Sequence, residues 1–311
     1  MVYEKEALFY TELAVNFERL YNKCKVPAED RLYIPKYYGH LLDPYEEILA
    51  LENLEAKGFK IFDRMKTFNW DYASTAVTEL AKFHALGLAL RDESPHEFTK
   101  LISRLKSDEP ENQLNFYIKL ALENGCKGLH DDYKERLHKF FYSTENLVEL
   151  KKIKEDETLL IHGDFKTSNL MHRRRNGKLE IAPLDYQTFR VGNPVVDLMY
   201  FVFCGSDEKF RRFHYQRLMD HYFTQLTLAL RQLHVDVEKV YPRETFDADL
   251  IKVRPLGLFL GLLMVGIVTV APEEAPNLDS DINTIMQVKP NQIAVERISG
   301  IVRDFIRWGV L

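Results

Sequence analysis

Apolar residues at the start of the chain recur three or four positions apart. Ala7, Tyr10, Leu13, Ala14 and Phe17, with charges between them, predict a helix over residues 1–24. Two extended runs follow, LYIPKYYGH and EEILALENL, and Pro35 and Gly39 keep a long helix out of the first. LEAKGFKIFDRM reads as loop and connector. A strong helix is expected from Asp71, taken as its N-cap, with Val77, Leu80, Ala81, His84 and Leu88 on one stripe. Further helices are expected over 111–124 and 131–152. The pattern then shortens to three extended runs, LLIH, NLMH and LEIAPL, and the RNGK turn between the last two predicts a hairpin. After Asp185 helices return, opened by Asn193 as N-cap with Pro194 in the first helical position. One apolar run, residues 256–271, is 16 residues long. That is short of the roughly 20 a spanning helix needs, so it is expected to be a core helix and not a membrane span. The pattern as a whole is a small sheet at the front, a mainly helical body, and one hairpin set into that body. No internal repeat or low-complexity segment is visible.

Composition narrows the class. The 311 residues are 46% apolar and 29% charged with a net charge of −5, ordinary for a globular chain with a real core. No excess of Lys and Arg is available to neutralise a phosphate backbone, so nucleic acid is not the expected partner. Cys24, Cys126 and Cys204 lie far apart without a C-x-x-C pair. This argues against a disulfide framework or structural zinc and fits a reducing compartment. MVYEKEALFYTEL lacks the apolar stretch of a secretory leader, and a cytoplasmic protein is expected. Oligomeric state has no readable signature.

The candidate chemistry lies in IHGDFKTSNLM. His162, Asp164 and Asn169 stand in the spacing H-x-D-x-x-x-x-N, which is that of the protein-kinase catalytic loop. Phosphoryl transfer needs an acceptor for the proton of the attacking hydroxyl, a role open to Asp164, and Mg²⁺, to which Asn169 offers a neutral oxygen. A second metal ligand is required, and Asp185, at the end of the LEIAPL strand, supplies it. A turn Asp and a capping Asn are the plain alternative for the loop. Asp197 sits in the first turn of the Asn193-capped helix, where a carboxylate is favoured in any case. His84 reads as a packed, hydrogen-bonded core residue, and Arg173 to Arg175 as a solvated charge cluster beside the hairpin turn.

HGDFKTSNLM followed by LDYQTFRVGNPVVDLMYF resembles the ecdysteroid-kinase-like family, which groups with choline and aminoglycoside kinases. The resemblance extends upstream through ELAKFHALGLAL, LALENLEAKGFKIFDRM and YEKEALFYTEL, so it covers Tyr3 to about Gly205. LDYQ in place of the protein-kinase D-F-G favours the small-molecule branch. The resemblance implies an α+β protein-kinase-like fold, with a nucleotide lobe and hinge over 1–54 and a helical lobe over 55–311. It implies ATP and Mg²⁺ as cofactors, Asp164 as catalytic base, and Asn169 and Asp185 on the metal. Glu6 matches the helix glutamate that pairs with a phosphate-binding lysine, Glu52, Asn53 and Leu54 match the adenine-binding hinge, and Asp197 matches an anchor of the catalytic loop. The implied activity is ATP-dependent phosphorylation of a small-molecule hydroxyl, an ecdysteroid or another lipophilic alcohol. Two rivals stand beside it: a non-catalytic remnant that binds a ligand or partner, and a choline-type kinase. The departure from the family is at the front. No glycine-rich loop precedes Glu6 and only Lys5 stands before it, so a truncated small lobe with weak ATP binding and little turnover is expected.

Overall fold

The computed structural model describes residues 2–43, 46–105, 113–154, 159–271, 273 and 289–311. The first helix forms as the periodicity predicts, but in three pieces. Helices Val2–Leu8 and Ala14–Lys23 flank a π-helical turn, Phe9–Leu13. Such turns concentrate at functional sites, and this one directly follows the Glu6 segment.

Strands β1 (Tyr37–Leu41) and β2 (Ile48–Leu51) pair antiparallel, with an irregularity between Tyr37 and Gly39. The connector expected at LEAKGFKIFDRM contains a two-residue strand, β3 (Lys60–Ile61). Strand β4 (Leu159–Ile161) is wholly buried. Strands β5 (Leu170–Arg175) and β6 (Lys178–Pro183) form the predicted hairpin, and β3 adds to the β5 edge. Its turn places Asn176 and Gly177 at φ 53° and 78°, the left-handed pair that matches strand twist. Strand β7 (Arg190–Gly192), absent from the sequence reading, pairs with β4.

The central helix is Trp70–Glu93. Its N-cap is Asn69, whose Oδ1 accepts the Tyr72 amide at 3.0 Å, and not Asp71. Asn69 is the last residue with extended backbone, so only its side chain can fold back on the first turn, while Asp71 pairs with Arg174. The helix packs against helix Glu208–Gln232, β4 and β6, which accounts for burial on nearly all its sides. The single helix expected over 131–152 is two, Asp131–Phe141 and Thr144–Lys154, broken at Tyr142 and Ser143. The helix expected over 111–124 is described from Gln113 to Gly125, and its first two residues lie outside the described ones.

The apolar run forms the end of helix Arg243–Val268. Among the described residues it is the one helix long and apolar enough to cross a membrane, and 56% of that stretch is buried inside the fold. It packs against helices Pro194–Gly205, Gln113–Gly125 and Gln292–Arg307. Close approach is possible because a Cβ at Gly257 would come within 2.4 Å of Phe203 and one at Gly261 within 2.5 Å of Ile301. Helix Gln292–Arg307 is tied to Glu208–Gln232 by a fully buried ion pair, Arg211 to Asp304 at 2.5 Å.

Candidate active site

His162 follows the last residue of strand β4, and the chain turns away at Gly163, whose φ is +83°. This turn is held from below by Asp197. The His162 amide donates to Asp197 Oδ2 at 2.7 Å and the Gly163 amide to Oδ1 at 2.8 Å. His84 Nε2 reaches Oδ2 at 3.1 Å, and His84 Nδ1 meets the Tyr222 hydroxyl at 2.6 Å. Burial alone would raise the Asp197 pKa. The hydrogen bond and charge of His84, with the hydrogen bond from the His162 amide, outweigh it and hold the carboxyl below the usual range. Both readings of Asp197 therefore hold. It lies in the first turn of its helix, behind the Asn193 cap, and it also anchors the loop. His84 is the packed, hydrogen-bonded residue expected, and its contact orients Asp197.

Gly163 has no room for a side chain. A Cβ there would lie 2.5 Å from Thr188 O and 2.5 Å from Arg190 Nη1, at a φ that side chains avoid. Gly163→Ala is expected to cost about 1–3 kcal/mol, read as a lowered midpoint in denaturant unfolding. An unchanged midpoint would mean the turn relaxes freely.

Past the turn, Asn169 Nδ2 donates to Asp164 O at 3.0 Å and to Asp164 Oδ2 at 2.9 Å. Lys166 Nζ contacts the same Oδ2. Asp164 Oδ1 is buried and has no partner among the described residues. One oxygen of the carboxylate is thus held from two sides, and the other is left with unused lone pairs. Among the described residues Asn169 Oδ1 has only a long 3.5 Å contact from Ser168 Oγ.

Asp185 is brought to this loop through Leu184. The Leu184 amide donates to Asn169 O at 2.8 Å, and its carbonyl accepts His162 Nε2 at 3.0 Å. Full burial keeps the His162 pKa low despite the carboxylates around it, so the ring is neutral, with Nε2 as the donor. Asp185 itself has φ 64°, a left-handed conformation that Asp tolerates better than most residues. Its carboxyl is pushed up, first by burial and then by Asp164, with Lys166 opposing. Glu6 is half-buried and also pushed up, by burial and then by Asp185, and its carboxylate accepts the Tyr186 amide. Among the described residues no Lys, Arg or His lies within ion-pair distance of Glu6. Glu6, Asp185 and Asp164 therefore form a graded anionic cluster with one internal cation, Lys166. The Asp185 carboxylate and the Asn169 amide oxygen are a hard, oxygen-only donor pair of the kind Mg²⁺ takes beside phosphate oxygens and water.

An aromatic stack joins the Glu6 segment to the Asp185 segment. Phe9 lies flat on Tyr186 at 3.5 Å, and His162 meets the other rings at 4.9 Å from Tyr186. Residues 52–54 lie after β2. The Glu52 amide donates to Lys36 O at 2.8 Å and its carboxylate pairs with Lys57. Asn53 Oδ1 accepts the Ala56 amide at 3.1 Å, and Leu54 is buried against Phe59, Met171 and Ala182. These side chains build the turn. The arginines by the hairpin are ion-paired: Arg173 and Arg175 with Glu180, Arg174 with Asp71.

Sequence reasoning missed Lys166, Tyr222, Thr188 and Tyr200. Lys166 had a signal, since residues two apart in an extended loop face the same side, here the side of Asp164. Thr188 Oγ1 donates to His162 O at 3.0 Å from a segment the motif does not include.

A strand-ended loop carrying H-x-D-x-x-x-x-N, a hairpin, and an aspartate returned to that loop define the kinase-like α+β fold. The chain belongs to the ecdysteroid kinase-like family, whose model matches residues 1–235. No curated protein matches it.

Proposed function

We propose that this chain is a small-molecule kinase that transfers the γ-phosphoryl group of ATP to the hydroxyl of a lipophilic alcohol, with ecdysteroids among the candidates. The observation that carries the reading is the unpartnered, buried Oδ1 of Asp164, set beside Asn169 and the raised carboxyl of Asp185. Asp164 Oδ1 accepts the proton of the attacking hydroxyl as its oxygen bonds to phosphorus, and the bond to the leaving ADP oxygen breaks. Asn169 Nδ2 and Lys166 keep Oδ2 engaged, so the basic lone pair stays on Oδ1. Asp185 and Asn169 Oδ1 are the residues that would hold Mg²⁺, which screens phosphate charge when bound. Glu6 lies in the same anionic cluster, and the backbone around Glu52, Asn53 and Leu54 is the adenine-binding stretch. Family membership supports the kinase class; the alcohol is our reading.

The test is transfer of labelled γ-phosphate from ATP with Mg²⁺ to a panel of steroid and small alcohols. A labelled lipophilic alcohol is the expected product, and no transfer to any member would sink the reading. A second reading, ligand binding without transfer, is favoured by the lack of a cation on Glu6 among the described residues. It predicts Mg²⁺-dependent ATP binding with no labelled product.

The metal assignment gives its own prediction. Asp185→Asn is expected to weaken the Mg²⁺-dependent part of ATP binding roughly tenfold, and Asn169→Ala to weaken it less, because a full charge outweighs a dipole at a hard cation. Asp185→Asn should also leave the metal-free protein as stable or slightly more stable at neutral pH, since its carboxylate is held charged against burial and Asp164. Calorimetry with and without Mg²⁺, alongside melting curves, reads both. Equal metal dependence in all three proteins would contradict the assignment.

A further inference from the structure

Helix Pro194–Gly205 is the first α-helix after the Asp185 segment. Every residue in it is buried except Tyr200. A helix sealed on all sides thus reaches solvent at one position, and that position is beside Asp164. Lys166 Nζ lies over the Tyr200 ring, 5.9 Å from its centroid, while contacting Asp164 Oδ2. The side chains of Asp164 and Lys166 are themselves only 13% and 16% exposed. The opening onto the proposed base is therefore narrow, with a phenol ring and an ammonium at its edge.

We infer that Tyr200 borders the place where the acceptor alcohol lies and determines which alcohols reach Asp164. This rests on the kinase reading above. The ring is the apolar surface at this opening, so it favours an acceptor with a hydrocarbon body next to its hydroxyl. The face of the ring toward Lys166 is already engaged by that ammonium. With that face taken, the ring offers no second cation–π contact to a quaternary ammonium alcohol of the choline type, and its remaining surface suits an uncharged apolar alcohol. The phenol is neutral at any physiological pH, since burial first and the Asp164 carboxylate second push its pKa far up. Its hydroxyl interacts with the Asp164 carboxylate, which places it at the proposed base without competing for the acceptor's proton.

The experiment compares the wild-type chain with Tyr200→Ala and Tyr200→Phe. It measures KM and kcat for neutral alcohols of increasing apolar size and for choline, KM for ATP, and melting temperature. Tyr200→Ala is expected to raise KM about tenfold for the bulkier alcohols, to spare the smallest, and to leave KM for ATP within about twofold. Tyr200→Phe should restore the size preference, because the ring remains. A uniform loss of kcat across all alcohols, or a parallel rise in KM for ATP, would show a structural role and overturn the inference. Unchanged kinetics in Tyr200→Ala, or wild-type preference for choline, would overturn it too. If the wild type phosphorylates no alcohol, the kinase reading falls by itself. Equilibrium binding of the same alcohols then decides this inference: a tenfold loss in Tyr200→Ala upholds it, and equal affinity ends it.

Discussion

Asp164→Asn is expected to lower phosphoryl transfer by about 10²–10⁴-fold, the usual worth of a positioned general base, with a nearly unchanged melting temperature. The substitution is isosteric. The new amide oxygen takes the place of Oδ2, where Lys166 and Asn169 both donate. The new amide nitrogen then occupies the place of Oδ1, the acceptor that has no partner among the described residues. A lone pair becomes an N–H, and the alcohol proton has nowhere to go. Loss of the ion pair to Lys166 is cushioned, since its hydrogen bond persists on the new amide oxygen and Asp185 still offsets its charge. Initial rates with a fixed alcohol, beside thermal melts, read both quantities. A variant that keeps most of the rate would remove Asp164 from the mechanism.

The largest stability effect is expected at Asp197. Asp197→Ala strands two buried amides, those of His162 and Gly163, and deprives His84 of its partner. Removing one side of such a buried network costs about 3–5 kcal/mol, because each abandoned donor has already given up its water. Activity should fall with it, since the Gly163 turn that aims Asp164 loses its support. The effect has a defined pH dependence. The folded-state pKa of Asp197 lies below its ordinary value. Its contribution is thus complete above the ordinary carboxylate range, about pH 4, and is lost as pH falls through the folded value. The wild-type advantage over Asp197→Ala, measured by denaturant unfolding, should be full near neutrality and shrink below about pH 4. A gap that stays constant into acid would mean the carboxylate acts only by filling space.

What could be read from the chain was what is local along it. Asp164 and Asn169 share one short loop, and their spacing is itself the chemistry. Asp185 ends a hairpin whose turn, Asn176-Gly177, is among the strongest short-range signals a sequence carries. The stripe of the central helix and the Asn193–Pro194 start were legible for the same reason: each depends on neighbours within a turn or two. Where a local signal was offered twice, the choice failed. Asn69 and Asp71 are both good caps, and only the point at which the backbone leaves extended geometry selects Asn69.

The sequence by itself determined the kinase-like motif, the hairpin that returns Asp185 to it, and a mainly helical body. Tertiary structure alone decided that His84, 113 positions before Asp197, orients the anchor of the loop, and that Asp197 takes both amides at the Gly163 turn. It also decided that Lys166 sits on Asp164 and that Tyr200 is the one opening in a buried helix. A single side chain's periodicity records whether it faces a core. It holds no record of which distant polar group meets it there, because burial fixes only that a hydrogen-bond partner is needed, and packing chooses the partner.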